Sequence, residues 1–286
     1  MLGGGALLLG AFAPGAFAQP PRRVIVVGGA LAEIIYALGA QGNASSVLVG
    51  ADTTCSYPAA ARALPKVGYQ RALSAEGLLS LRPDLILASA EAGPPNVLAQ
   101  VKQAGVPVVS FAEQHDVDSV RDKITGIAKA LDANPQGDTL LASFNGDWQR
   151  ARDTVAASPL ARRAQAPRVL FVLNHTGNGA MVAGQRTAAD AMLAYAGARN
   201  AMQGFSGYRP LSAEALISAA PDLILTTDEG LSAVGGTAAM LASPGFAATP
   251  AGRNKRVVAL DALFLLGFGP RLPAAVTTLN QKLQEA

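Results

Sequence analysis

The sequence predicts an α/β protein made of two Rossmann-like lobes with parallel sheets, joined by a long helical connector, with a ligand cleft between the lobes. Three observations lead to this prediction. Short apolar strands alternate with helical segments, one long run of sequence occurs twice, and a stretch with helical spacing separates the two copies. At 286 residues, the chain is long enough for two domains of ordinary size.

The internal repeat is the most specific of these observations. The run LSAEGLLSLRPDLIL at 73–87 returns as LSAEALISAAPDLIL at 211–225, with eleven of the fifteen positions identical. Just upstream, Gly68-Tyr69 in the first half corresponds to Gly207-Tyr208 in the second half, displaced by one residue. Chance does not produce such a match, so each half is expected to be a copy of one α/β unit.

Within each half, strands and helices are expected to alternate, as they do around a parallel sheet. The first-half strands are expected at Val24–Val27, Val47–Val49, Leu85–Ala88 and Val106–Ser110. Ser74 and Ser212 are predicted to cap the helices that open the two repeated runs. Glu76 and Glu214 then fall in the first helical turns, near the positive ends of the helix dipoles.

The connector is predicted from two segments, Val117–Leu131 and Pro135–Ala157, which keep helical spacing without clusters of glycine. Stiff helices at this place permit less motion of the lobes than flexible strands would. The expected organisation is therefore a signal peptide at 1–18, an N-terminal lobe at 19–118, the connector at 119–166 and a C-terminal lobe at 167–286.

Residues 1–20 form an uncharged apolar stretch that contains Ala16-Phe17-Ala18, a small-x-small pattern typical of signal peptidase sites. We predict export with cleavage after Ala18, although the stretch lacks the Lys or Arg that usually precedes the apolar run. The alternative is a disordered apolar tail. An exported chain is compatible with a single cysteine, Cys55, if that thiol is buried or remains unpaired.

Composition excludes several classes of function. The formal charge is +3, and the 23 Lys and Arg residues are scattered without a basic block, so the electrostatic pattern of a nucleic-acid binder is missing. Cys55 alone cannot form an internal disulfide, and His115 and His175 are too few for most zinc sites. A bound metal would need a ligand outside the Cys and His residues.

Enzymatic chemistry has little support in the sequence. Gly28-Gly29-Ala30 follows the first strand, and a glycine-rich turn of this kind can seat a pyrophosphate. The spacing is not that of the dinucleotide fingerprint, and the common nucleophile and zinc-hydrolase motifs do not occur. We predict a binding protein and no enzyme, and keep a nucleotide-dependent enzyme as the alternative of a different class.

The loop LPKVGYQR at 64–71 is the most informative segment for function, since ligands bind at such loops in open α/β sheets. A free phenol titrates near pH 10, so a phenolate ligand requires a strong Lewis acid such as ferric iron, and a guanidinium nearby stabilises it. Tyr69 and Arg71 provide this combination, and tyrosine is a known axial ligand of haem iron. The alternative is an exposed aromatic residue that packs over the lobe interface.

The run LPKVGYQRALSAEGLLSLRPDLILAS at 64–89, with the duplicated lobes and the helical connector, resembles the periplasmic haem-binding proteins of bacterial ABC-type haem importers. This resemblance implies a periplasmic receptor for ferric protoporphyrin IX that delivers haem to an inner-membrane ABC transporter. It assigns the axial phenolate to Tyr69 and a supporting role to Arg71, with Arg209 approaching from the second half. Lys66 and Tyr208 are further haem-binding candidates, and a ferric siderophore or vitamin B12 is the alternative cargo.

The resemblance also raises the question of how many haems the protein binds. Some relatives hold two stacked haems, the second through a histidine in a loop similar to Asn174–Gly179, so His175 is a candidate second ligand of iron. The alternative is a surface histidine that binds nothing. Glu91 and Asp228-Glu229 are expected to line the cleft, where carboxylates would oppose an anionic ligand.

Two further expectations concern partners. Proteins of this class use one acidic residue in each lobe to dock on the two permease subunits, which implies Glu76 and Glu214 at the equivalent place in each repeat. The alternative role of both residues is stabilisation of a helix dipole, worth about 0.3 to 1 kcal/mol. We expect a monomer that binds haem and an ABC permease dimer, and no nucleic acid.

Overall fold

The computed structural model describes residues 22–42, 46–176 and 179–286, and only the backbone of His175 and Thr176. The signal peptide predicted at 1–18 therefore lies outside the described residues. Within these ranges, no helix combines the length and the apolar character needed to cross a membrane.

The strands fall into a group before the connector and a group after it. In chain order they are β1 (Arg22–Val27), β2 (Ser46–Ala51), β3 (Gly68–Tyr69), β4 (Ala72–Leu73), β5 (Leu85–Ser89), β6 (Val108–Phe111), β7 (Arg168–Thr176), β8 (Gly179–Ala183), β9 (Arg199–Asn200), β10 (Tyr208–Leu211), β11 (Leu223–Thr227) and β12 (Val257–Leu260).

The helices lie between these strands, and two of them form the connector. In chain order they are α1 (Gly29–Ala37), α2 (Ala59–Arg62), α3 (Ala75–Ser80), α4 (Pro95–Gln103), α5 (Val117–Ala130), α6 (Asn134–Ala157), α7 (Ala188–Tyr195), α8 (Ala213–Ala219), α9 (Asp228–Ala233), α10 (Thr237–Ala242), α11 (Pro250–Arg253), α12 (Ala262–Leu266) and α13 (Leu272–Glu285).

The first sheet has the strand order β2-β1-β5-β6, and all of its strands run parallel. β1 and β5 lie at its centre with β1 residues 24–27 opposite β5 residues 85–88. Their apolar side chains are buried on both faces because helices cover both sides of the sheet. The four strands expected from the sequence are all present, with bounds that shift by at most two residues.

The second sheet has the order β10-β8-β7-β11-β12, with β9 also paired to β7. Its strands β7, β11 and β12 are parallel, but β8 runs antiparallel to β7 and β10 antiparallel to β8. The prediction of two parallel sheets is therefore corrected for this half, where the sheet is mixed. The reason is that β8 follows β7 after two residues, which leaves no room for a crossover helix.

The connector consists of α5 and α6, as predicted, and it carries part of the core. Trp148 of α6 is buried and meets Tyr195 edge to face, with ring centroids 5.0 Å apart. Lys123 of α5 is buried and forms an ion pair with Glu113 at 2.8 Å. One hydrophobic cluster runs from the first sheet through these helices to the second sheet, so the lobes share a continuous core.

Contacts between the two halves also occur beside the connector. Glu33 of α1 is buried and forms an ion pair with Arg271, whose guanidinium lies 3.8 Å from the centre of the Tyr57 ring. Burial raises the pKa of Glu33, and the hydrogen bonds and charge of Arg271 oppose that rise. His115 packs at the same junction against Phe268, with ring centroids 5.5 Å apart. The exact lobe bounds at 118 and 166 stay a prediction.

Candidate functional site

Tyr69 stands on a short hairpin formed by β3 and β4. Tyr69 pairs with Ala72, and the two residues between them, Gln70 and Arg71, make the turn. The backbone of Gly93 fixes the hairpin, since its N–H donates to the Gln70 carbonyl at 2.8 Å and its carbonyl accepts from Leu73 at 2.9 Å. This anchoring holds the Tyr69 side chain outward, where it is 43% exposed.

Arg71 turns back over the hairpin and connects Tyr69 to a carboxylate. Its Nη1 donates to the Tyr69 hydroxyl at 2.8 Å, and its Nη2 forms an ion pair with Glu91, which follows β5. All three side chains are exposed, so the ion pair adds little to folding stability. Its effect is to orient the guanidinium toward the Tyr69 oxygen, where it stabilises negative charge.

Tyr208 of β10 faces this group from the second half of the chain. Burial raises the pKa of Tyr208 to about 12; the Glu91 carboxylate raises it too, while Arg71 and a hydrogen bond with Thr187 lower it. The side chain still keeps 40% of its surface exposed, as expected for a ring that borders an open cleft. The effect of Glu91 and Arg71 on the pKa of Tyr208 indicates that the Tyr69 hairpin and strand β10 lie near each other, and we call these two elements the walls of the cleft.

Arg209 lies next to Tyr208 on the same strand, and side chains alternate between the faces of a strand. Its guanidinium lies 3.7 Å from the centre of the Phe205 ring, a cation–π contact. Among the residues that the structure describes, Arg209 makes no ion pair or side-chain hydrogen bond. The structure therefore does not join Arg209 to Tyr69 and Arg71, and it leaves the Arg209 charge available.

Lys66 and His175 are not part of this group. The Lys66 ammonium donates to the carbonyls of Cys55 at 3.3 Å and Ala61 at 3.1 Å, which ties it to the backbone of its own lobe. The backbone of His175 pairs with Ala180 in the β7–β8 ladder, but its side chain lies outside the described part of the chain. No cluster of three or more His, Cys, Asp and Glu side chains suited to a metal occurs within the described ranges.

The glycine-rich turn after β1 is filled by the protein itself. The N–H of Gly28 donates to Asp52 at 2.8 Å, and the N–H of Gly29 donates to the Thr54 hydroxyl at 3.1 Å. The buried Asp52 also accepts from the Cys55 thiol at 3.1 Å, and burial raises the pKa of that thiol. A carboxylate thus takes the place that a nucleotide phosphate would need, which argues against the nucleotide alternative.

Glu76 and Glu214 are exposed and lie in the first turns of α3 and α8, as predicted. Ser74 and Ser212 cap these helices by accepting backbone N–H bonds at 3.0 and 3.3 Å. Hydrogen bonds from its own backbone N–H and from Ser212 lower the pKa of Glu214. Both acids therefore contribute to helix stability, and their docking role stays a prediction.

Sequence reasoning did not foresee one ion pair and missed one residue. The carboxylate of Glu91, expected to oppose an anionic ligand, forms an ion pair with Arg71, and its effect on a ligand stays a prediction. Phe205, which positions Arg209, was not singled out. Glu91 follows the central strand β5, at the same edge of the sheet as the Tyr69 loop. This position in the sequence was the signal that Glu91 lies near Tyr69.

Comparison with known proteins identifies relatives of this chain. The family model described as "Periplasmic binding protein" matches residues 24–263. The structure of the periplasmic heme-binding protein BhuT in complex with two hemes is 70% identical in sequence, with a TM-score of 0.89 over 93% of this chain and 98% of that one. The periplasmic heme-binding protein RhuT from Roseiflexus sp. RS-1, in its apo form, is 41% identical, with a TM-score of 0.85 over 93% and 98% of the two chains.

A curated relative extends the comparison to another bacterium. The uncharacterized ABC transporter substrate-binding lipoprotein YvrC of Bacillus subtilis is 26% identical over 93% of this chain and 81% of its own length. The two-lobe fold expected from the repeat is confirmed by these likenesses, with the mixed second sheet noted above. The chain therefore belongs to the periplasmic binding protein family.

Proposed function

We propose that this protein is an exported, monomeric receptor that binds ferric haem between its two lobes and delivers it to an ABC transporter of the inner membrane. The observation that carries the proposal is the 2.8 Å hydrogen bond from Arg71 to the Tyr69 hydroxyl, on an exposed hairpin that faces Tyr208. Solved structures of heme-binding proteins at 70% and 41% identity support it.

The chemistry of Tyr69 follows from its surroundings. Ferric iron binds a phenolate oxygen, so the tyrosine must release its proton when haem arrives, and the Arg71 guanidinium compensates the charge that develops. Before haem binds, Glu91 balances the charge of Arg71 and keeps its side chain aimed at the hairpin. Tyr208 is a poor phenolate donor, because its pKa lies near 12.

Strand β10, the wall of the cleft that belongs to the second half, supplies a cation for the haem carboxylates. Haem carries two propionates, and Arg209 has a guanidinium that its Phe205 contact positions without neutralising. We assign Arg209 to a propionate, and Tyr208 to contact with the macrocycle. Lys66 holds the loop that leads to Tyr69 through its two backbone bonds, and we keep it as a haem-binding candidate for that reason.

The number of haems rests on His175. BhuT is described with two hemes, and our proposal is that His175 ligates the iron of a second haem stacked on the first. A hemin titration tests this directly. Two equivalents should bind to the wild type, and the weaker equivalent should disappear in His175→Ala; saturation of the wild type at one haem, or two haems in the variant, would contradict the role.

Delivery is the last part of the proposal. Glu76 and Glu214 are exposed on the two lobes, and we propose that they pair with basic residues of the two permease subunits. Glu76→Ala combined with Glu214→Ala should keep hemin affinity and abolish delivery in a reconstituted importer. Normal uptake by the double variant would leave only the helix-capping role.

The cargo itself is tested with the haem-free full chain. Added hemin should give a high-spin ferric spectrum with a phenolate-to-iron charge-transfer band, and neither cyanocobalamin nor a ferric siderophore should displace it. A preference for cobalamin or siderophore over hemin would refute haem as the cargo while leaving the family and the fold untouched.

A further inference from the structure

We propose that the C-terminal lobe carries a second anion site, separate from the haem cleft, that binds small ligands with two or more phosphate groups. The site is a pocket of about 470 Å³ at the edge of the second sheet where its parallel strands begin. Its charged lining consists of Arg163, Arg168, Arg199, Arg256 and Asp222. This inference is independent of the proposed haem function.

The strand order brings these arginines together. Arg168 and Arg199 open the neighbouring strands β7 and β9 and are paired in register. Arg256 directly precedes β12, and its carbonyl accepts from the N–H of Ile224 on β11 at 3.0 Å. Arg163 comes from the segment that leads into β7. Because parallel strands begin at the same edge, guanidinium groups that are distant in sequence line one pocket.

Among the residues that the structure describes, only Arg168 of these four arginines has a carboxylate partner. Asp222 accepts from the backbone N–H of Arg168 at 2.8 Å, and its carboxylate lies 3.6 Å from the Arg168 guanidinium. Within the described part of the chain, Arg163, Arg199 and Arg256 form no ion pair or side-chain hydrogen bond. Like charges that line one pocket repel one another, and an anion between them reduces that cost. Guanidinium forks suit phosphate oxygens, which they bind in pairs.

The same edge of the first sheet is arranged differently. There Arg22 donates to the carbonyl of Ala130 at 2.6 Å and pairs with Asp132 at 3.2 Å. Arg23 resembles Arg168 in that its backbone N–H donates to an aspartate, Asp84, at 2.8 Å, and its side chain donates to the carbonyl of Leu81 at 2.8 Å. Arg22 and Arg23 of the first lobe are thus satisfied internally, whereas Arg199 and Arg256 at the same edge of the second sheet have no such side-chain partner among the described residues.

The pocket and the cleft can be occupied at the same time. Helix α8 begins beside Glu214 and ends just before Asp222, so the pocket lies at the far end of this helix from the proposed docking residue. Tyr208 and Arg209 precede α8 on the Glu214 side. A ligand in the arginine pocket would therefore leave both haem and a docked permease undisturbed.

Isothermal titration of the haem-free full chain at low salt, with inorganic pyrophosphate as the probe, tests the proposal. The test variant is Arg199→Ala with Arg256→Ala; the control is Lys102→Ala with Arg152→Ala, which removes the same charge from exposed sites outside the pocket. Pyrophosphate should bind the wild type and the control with equal affinity. It should bind the test variant at least about tenfold more weakly. Hemin affinity should be equal in all three proteins.

Failure to bind pyrophosphate, or an equal loss in the control, would overturn the site. Amide chemical shifts give a second readout that needs no variant, since pyrophosphate should move the signals of Arg168 and Arg199, and shifts confined to other regions would also overturn it. Vesicles of cardiolipin, whose headgroup has two phosphates, compared with vesicles of phosphatidylcholine, distinguish a lipid ligand from a free phosphate compound. Arginine-dependent sedimentation with the anionic vesicles identifies a lipid headgroup, and arginine-dependent binding of pyrophosphate alone identifies a free phosphate compound.

Discussion

Tyr69 and Tyr208 follow a glycine at related places in the two halves of the chain, but their backbones are different. Three residues separate Tyr69 from Leu73, where the repeated run begins, whereas two separate Tyr208 from Leu211. The extra residue closes the two-residue turn of the β3–β4 hairpin. Without it, the second half continues as the straight strand β10 on the edge of its sheet.

This difference of one residue decides what each tyrosine can do. In the hairpin turn, Arg71 folds back onto the Tyr69 hydroxyl. In the straight strand, Arg209 points to the other face and contacts Phe205, and burial with the charge of Glu91 raises the pKa of Tyr208 to about 12. Loop length, more than residue type, therefore distinguishes the hydrogen-bonded pair of Tyr69 and Arg71 from Tyr208 and Arg209, which remain apart.

Of the substitutions that test this difference between the two tyrosines, replacing Tyr69 should have the largest effect on hemin binding. We expect Tyr69→Phe to remove the charge-transfer band and to weaken hemin binding by roughly a hundredfold, about 2.7 kcal/mol, since the axial bond is lost and the propionate contacts remain. The measurement is a hemin titration followed in the visible spectrum. A variant that keeps the band and the affinity would show that iron is bound elsewhere.

Deleting Gln70 would give the first half the spacing of the second. We expect the hairpin to open and the Arg71 bond to Tyr69 to be lost, which should weaken hemin binding by about thirtyfold. The hairpin is at the surface, so the melting temperature should fall only slightly. The control is Gln70→Ala, which keeps the spacing; if it loses as much affinity as the deletion, the turn length is not the cause.

Arg71→Ala should weaken hemin binding by about tenfold, because one charge-assisted hydrogen bond is removed. The pH at which half of the charge-transfer band is lost should move upward, since without the guanidinium the phenolate is less stable against protonation. Arg71→Lys should recover only part of the affinity, because lysine lacks the planar fork. Full recovery with lysine would show that charge alone matters.

The sequence predicted the parts of this site that depend on local pattern. The strands of the first sheet, the Ser74 and Ser212 caps and the exposed Tyr69 loop follow from apolar runs, cap residues and punctuation by Pro and Gly. The antiparallel β8 was missed because Gly179–Ala183 consists mainly of Gly and Ala, which are depleted in strands. The ion pair of Glu91 with Arg71 was missed because it depends on how close the end of β5 lies to the β3–β4 hairpin in the folded protein, which the sequence pattern does not give.

Glu91 acts on residues of both walls, Arg71 and Tyr208, so replacing it tests both at once. Its carboxylate competes for Arg71 and raises the pKa of Tyr208. Glu91→Gln should therefore tighten hemin binding by about threefold, since the freed guanidinium stabilises the phenolate more fully, and it should lower the pKa of Tyr208. Hemin titration and the near-ultraviolet absorbance of phenolate against pH measure the two effects. Weaker hemin binding would mean that orienting Arg71 outweighs neutralising it.

Tyr208→Phe should have the smallest effect on haem, less than about threefold, because the phenol is neutral at ordinary pH and the ring is retained. Loss of the hydrogen bond with Thr187 should cost about 1 kcal/mol of stability at neutral pH, and a further, pH-dependent effect should appear in alkali. The folded state holds the Tyr208 proton up to a pKa of about 12, whereas a tyrosine in the unfolded chain loses it near pH 10. The wild type should thus lose stability as the pH rises from 10 to 12, and Tyr208→Phe should lose less, as chemical denaturation at each pH would show. A loss of hemin affinity as large as that of Tyr69→Phe would reverse the assignment of the two walls.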